Sequence, residues 1–124
     1  MRILLAVDGS PYSQEALWSL LKQVQRRGVQ ILVLSVVEQF SAYVTSGMVP
    51  HLVTQLKEME ADRRKQAKVL VARTAQKLRK AGFLKITEAV ESGDAKSLIL
   101  DRAAKWNADL IVLGSHGLTG LGRL

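Results

Sequence analysis

Two short segments carry residue types suited to gripping an anion and a hydroxyl-bearing ligand together. The first is Gly114-Ser115-His116-Gly117-Leu118-Thr119-Gly120-Leu121-Gly122, which follows the apolar run Asp109-Leu110-Ile111-Val112-Leu113. Glycine has no Cβ, so such a loop lets backbone N–H groups come close to an anion such as phosphate. A helix following the loop would add the partial positive charge of its N-terminus. The second segment is Asp8-Gly9-Ser10-Pro11, at the end of Ile3-Leu4-Leu5-Ala6-Val7. Asp8 can accept hydrogen bonds from a ribose hydroxyl or a purine amine, or help hold a metal ion. Val36 and Val37 close another apolar run and offer a slot for a base. Thr119 and Arg123 are further candidates for phosphate contact. Plainer roles compete: Asp8 as a turn or cap residue, and Gly114 and Gly117 as the makings of a tight turn.

The patterns of other chemistries are missing. His116 has no nucleophile or orienting carboxylate at matching spacing, so no catalytic residue is assigned. The G-x4-G-K-[S/T] pattern does not occur, which argues against fast P-loop hydrolysis and leaves at most slow ATP turnover. A dinucleotide oxidoreductase would carry G-x-G-x-x-G after the first strand, where only Gly9 stands. A phosphoacceptor regulator would want an acidic cluster beside Asp8 for magnesium.

The elements that must position these residues follow from periodicity. Residues 2–7 and 29–37 read as strands buried on both faces, being continuous, branched and apolar. Ser10 and Pro11 suit the cap and first position of a helix reaching from Tyr12 to about Arg27, with Ala16, Leu17, Leu20, Leu21 and Val24 as its stripe and Gly28 as its stop. Residues 38–52 read as a loop. A helix is expected over 53–81, with Leu56, Met59, Arg63, Ala67, Leu70, Val71, Thr74, Ala75 and Leu78 inward; Arg63 is a flaw in that stripe. Residues 84–91 alternate and suggest an exposed edge strand. Asp94 caps a helix over 95–106, with Leu98, Ile99, Ala103 and Trp106 inward, and 109–113 is the last strand. Trp18 and Trp106 are expected to pack in the core, and His51 to be solvated. This βαβαβαβ order calls for an α/β fold with a doubly wound parallel sheet and helices on both faces. Ligands in such sheets bind at strand carboxyl ends where the winding reverses.

The chain has 124 residues, 48% hydrophobic and 23% charged, which suits one globular domain spanning 1–124. With no cysteine there is neither a disulfide nor cysteine-ligated zinc. No stretch reads as a signal peptide or membrane span, so a cytoplasmic protein with no membrane partner is expected. The formal charge is +7, concentrated in Arg63, Arg64, Lys65, Lys68, Arg73, Lys77, Arg79 and Lys80. No aromatic residues interleave with that cluster, so it reads as a solvated helix face and nucleic acid is not the expected partner.

Taken together, Met1–Ser10, Glu91-Ser92-Gly93-Asp94 and Ala108–Gly120 resemble the universal stress protein family, in register and across essentially the whole chain. The resemblance implies a Rossmann-like open sheet with strand order 3-2-1-4. It implies ATP or AMP as ligand, with magnesium as an optional companion, a homodimer and a role in the stress response. The ligand-contacting positions it implies are Ala6, Val7, Asp8, Gly9, Ser10, Val36, Val37, Gly114, Ser115, His116, Gly117 and Gly120. The ATP-binding branch carries G-x2-G-x9-G-[S/T]. Gly114-Ser115-His116-Gly117 matches its first half, and its close would fall at positions 127 and 128. The expectation is therefore of a member lacking the last helix and a fifth strand. Relatives without the full glycine pattern suggest an alternative: a nucleotide-independent dimeric interaction module.

Overall fold

Ile3-Leu4-Leu5-Ala6 has no polar side chain to offer either face, and it occupies the one kind of place that suits such a run, between paired strands and covered on both sides. The computed structural model describes residues 1–39 and 46–114. Its elements are β1 (Arg2–Ala6), α1 (Pro11–Gln23), β2 (Gln30–Val37), α2 (Pro50–Lys80), β3 (Lys85–Ser92), α3 (Ala95–Trp106) and β4 (Leu110–Leu113). The strands form one parallel sheet in the order β3-β2-β1-β4, the order that the family resemblance implies. Ala6 lies beside Leu34 on one flank and Leu113 on the other. β1 and β4 therefore end level, β2 runs on three residues past Leu34 to Val37, and the winding reverses between β1 and β4.

Period-2 alternation sends β1 and β2 side chains to two separate cores. On one face Ile3, Leu5, Val7, Ile31 and Val33 meet Leu17 and Leu20 of α1 and Val71 and Leu78 of α2. On the other, Leu4, Ala6, Leu32 and Leu34 meet Ile99 and Ala103 of α3. Ile3, Leu4, Leu5, Val33 and Leu34 are wholly inaccessible. β3 is an edge strand with mostly exposed or half-buried residues, as its alternation predicts.

Several boundaries and burials differ from the sequence reading. α1 ends at Gln23, not Arg27. Arg26 folds back to donate to the Leu21 and Val24 carbonyls at 2.8 Å, satisfying groups the last turn leaves open. α2 begins at Pro50, three residues early, because proline at the first helical position loses no hydrogen bond. Only its second half is buried: Ala67, Val71, Thr74, Ala75 and Leu78. At 1.5 Å per residue its 31 residues extend about 46 Å, against about 26 Å for the eight residues of β2, so the first half outruns the sheet. Met59 is accordingly 54% exposed, not inward. Trp18 is also not a core residue: it is 61% exposed on the outer face of α1, whereas Trp106 is half-buried and packs on the second core.

Candidate functional site

Asp8 follows β1 and opens a tight network. Its Oδ1 accepts from the Ser10 backbone N–H at 2.9 Å, a local turn that brings the chain round to Pro11. Gly9 between them has φ +81°, a conformation glycine adopts without Cβ strain. The Asp8 N–H donates to Ser13 Oγ at 3.2 Å, and Ser13 N–H donates to Ser10 Oγ at 3.2 Å, which makes Ser10 the N-cap of α1. Ser10 Oγ spends its own proton on the Gly114 carbonyl at 3.0 Å. One serine thus ties the tip of β1, the start of α1 and the end of β4 together. Gly114 packs so closely on α1 that a Cβ there would run into the Ser13 Cα and the Tyr12 carbonyl. Asp8 and Gly114 are thereby linked through Ser10, on either side of the strand tips.

Two clefts open beside Asp8, one on each side of the sheet edge formed by the strand tips. The larger, about 420 Å³, is lined by Asp8, Gly9, Val36 and Val37 together with Glu38, Arg63 and Gln66. The smaller, about 200 Å³, is lined by Ala6, Val7, Asp8 and Val36 with Glu38, Ala95 and Ile99. Asp8, Val36 and Glu38 belong to both. The N-terminus of α1 stands at the larger cleft beside Gly9, and the N-terminus of α3 at the smaller one beside Ala95. The α3 end adds partial positive charge there, whereas α1 opens on a proline and has its Ser13 N–H held by Ser10. The Asp94 carboxylate caps α3 by accepting from Ser97 N–H at 3.0 Å. Hydrogen bonding from the Ser97 side chain first, then its backbone, holds the Asp94 pKa below the ordinary aspartate value. The Gly93 N–H donates to the Val37 carbonyl at 3.0 Å and fixes the end of β2 against that turn.

Among the residues singled out from sequence, Ala6, Val7, Asp8, Gly9, Val36 and Val37 therefore line the clefts. Ala6 and Val7 are 7% and 5% exposed and shape the floor, their side chains serving the two cores. Ser10 and Gly114 hold the strand tips together and do not line either cleft. Ser115, His116, Gly117 and Gly120, and with them Thr119 and Arg123, lie outside the described residues.

Sequence reasoning missed Glu38, Arg63 and Gln66 as cleft residues. The signal for Arg63 was present: a cation interrupting an apolar stripe at helical spacing. Its Nη2 donates to the Glu38 carbonyl at 3.3 Å, pinning the chain just beyond β2. Arg63 and Gln66 occupy the stretch of α2 just before it becomes buried, which is where the helix passes the strand tips. Among the described residues no group of three His, Cys, Asp or Glu side chains could hold a metal ion unaided, and no helix is long and apolar enough to cross a membrane.

This architecture is shared with known proteins. The chain is 31% identical over 121 residues to universal stress protein A homolog 2 of Coxiella burnetii, covering 97% of this chain and 78% of that one. Its fold is similar to that of the universal stress protein UspA from Lactobacillus plantarum, with TM-score 0.77, 24% identity, and 98% and 83% of the two chains covered. It is also similar to a universal stress protein family protein from Arabidopsis thaliana with AMP bound, with TM-score 0.66, 18% identity, and 98% and 80% covered. A match to the universal stress protein family spans residues 1–124, and with the relative from Coxiella it establishes that the chain belongs to that family.

Proposed function

We propose that the protein is a regulatory module of the stress response that binds an adenine nucleotide, ATP or AMP, at the carboxyl ends of β1, β2 and β4. The observation that carries this reading is the pair of clefts meeting at Asp8, with Val36 as a shared apolar wall and a helix N-terminus beside each. A base fits an apolar slot. Asp8 Oδ1 is engaged by Ser10, and Oδ2 has no partner among the described residues, which suits it to a ribose hydroxyl. The N-terminus of α3 at the smaller cleft favours an anion on the same ledge. AMP bound to the Arabidopsis relative supports the ligand class.

Ser115, His116, Gly117 and Gly120 are proposed to cradle the phosphates with their backbone amides, continuing from the Gly114 position that Ser10 anchors. Any magnesium would be held chiefly by the phosphates, with Asp8 as a nearby carboxylate. Without the P-loop lysine, turnover is slow or nil, and the signal is conformation or association, here assigned to a cytoplasmic homodimer.

Isothermal calorimetry with ATP and with AMP tests the reading, together with assay of nucleotide released on denaturing the freshly purified protein. Micromolar affinity or co-purified adenine nucleotide is the expected result. No heat and no thermal shift at millimolar ligand would reject nucleotide binding and leave the nucleotide-independent interaction module.

A further inference from the structure

At the opposite end of the sheet from Asp8 basic residues gather, and the Asp109 carboxylate that stands there ahead of β4 accepts from the Arg2 N–H at 2.8 Å. Between Glu15 and Glu38 every charged residue is basic (Lys22, Arg26 and Arg27), and the nine charged residues between Asp62 and Glu88 are basic as well. The fold brings the ends of these two stretches together. Arg26, from the segment after α1, donates its Nε to the Ala81 carbonyl at the end of α2 at 3.0 Å and lies over the Phe83 ring at 4.8 Å. It thereby neutralises the carbonyl ends of both helices, where partial negative charge would collect.

With that need met, the cations around it are surplus. Arg27 and Lys85 line a basal hollow of about 310 Å³ with Gly28, Gly82 and Leu84. Lys80 stands in the last turn of α2, and the Met1 ammonium donates to the Gly28 carbonyl at 2.9 Å. Arg27, Lys80 and Lys85 are exposed, and none has an acidic partner among the described residues. Leu84 projects among them at 88% exposure, with Met1 at 56%.

We propose that this basal end is a docking surface for anionic lipid bilayers, with Arg27, Lys80 and Lys85 on the headgroups and Leu84 entering the interface. A polyanion of any kind would reward the cations. The exposed leucine separates the candidates. An acyl boundary rewards an inserted apolar side chain, whereas a nucleic acid backbone does not; of the aromatic rings at this end, Phe83 is buried beneath Arg26, and Trp106 is half-buried on the other face of the sheet with Arg2 over it, so neither offers a base an open platform. The attachment is peripheral, and it leaves the Asp8 clefts facing away from the bilayer.

The test is co-sedimentation of the full chain with vesicles of phosphatidylcholine and phosphatidylglycerol, compared with phosphatidylcholine alone and with a duplex DNA. Salt-sensitive binding to the phosphatidylglycerol vesicles alone is expected. Arg27→Glu and Lys85→Glu should each weaken it by about fivefold or more. Leu84→Ser should weaken vesicle binding and leave the thermal melting point in place, since the side chain packs on almost nothing. No binding to phosphatidylglycerol vesicles at low salt overturns the proposal. So does vesicle binding indifferent to Leu84→Ser, or charge-dependent binding to DNA without binding to vesicles.

Discussion

Gly114→Ala is the sharpest perturbation of the ledge that joins β1, β4 and α1. A Cβ at this position meets the Ser13 Cα and the Tyr12 carbonyl, both of them backbone, so no side-chain rotation can relieve the clash. Either the end of β4 retreats or the first turn of α1 is displaced. Overpacking of this kind costs about 1–3 kcal/mol. Retreat also stretches the Ser10 Oγ–Gly114 O hydrogen bond, 3.0 Å in the native chain, with a loss of about 1 kcal/mol. The sum is about 3 kcal/mol, a large share of the roughly 5–15 kcal/mol that holds a domain together. At about 4 °C per kcal/mol for a domain of this size, the melting point should fall by about 12 °C. Urea denaturation followed by circular dichroism measures the free energy directly. Gly47→Ala is the control, because no described residue lies within 4 Å of the Cβ it would add, and its stability should stay within about 0.5 kcal/mol of the native chain. If Gly114→Ala melted where the native protein does, the close packing of β4 on α1 would be refuted, and with it the union of the strand tips.

Ser10→Ala removes an N-cap and the bond to Gly114 in one step, and should destabilise the chain by about 2 kcal/mol in urea. Arg63→Ala should weaken adenine nucleotide binding by about tenfold in calorimetry while leaving the melting curve nearly unchanged, because Arg63 is exposed on α2 and touches the cleft, not the core. Asp94 has its pKa lowered in the folded state by hydrogen bonds from Ser97. It therefore contributes stability above the ordinary aspartate pKa and loses it as pH falls through the lowered folded value. Asp94→Asn should flatten the acid limb of the stability–pH curve and leave its neutral region sloping as before.

Much of this architecture was legible because binary pattern and topology rules constrain parallel sheets tightly. β1 and β2 were read correctly as doubly buried strands from unbroken branched apolar runs, and β3 as an edge from its alternation. Asp8 and Gly114 were expected to share one crevice because ligands gather where the winding of such sheets reverses; the chain joins them through Ser10, while only Asp8 lines the clefts. What escaped was information that lives in lengths and in three dimensions. The periodicity of α2 continues through Met59, but the sheet beneath it does not, so an apolar residue at an inward phase ended in solvent. Trp18 falls at helical spacing on α1, yet the stripe of Ala16, Leu17 and Leu20 already filled the space beneath that helix. Arg63 registered as a defect in a stripe because one sequence cannot show that the strand tips pass beside it. The role of Ser10 was half visible: its cap follows from position, whereas its bond to Gly114 spans 104 residues.

The length of α2 has a kinetic consequence. Its second half packs directly on β2 and β3 in the core it shares with α1, and its amide protons there should exchange with solvent only through large-scale opening. Its first half, from Pro50 to Gln66, has no buried residue and persists on helical propensity and on nucleation by the anchored turns. Exchange should therefore run as a gradient along one continuous helix, fast at the proline end and slow beyond Ala67. Arg63 and Gln66 stand just ahead of the crossover, so any molecule settling against them would carry the slow zone toward the free end and lengthen the part of the helix that stays wound.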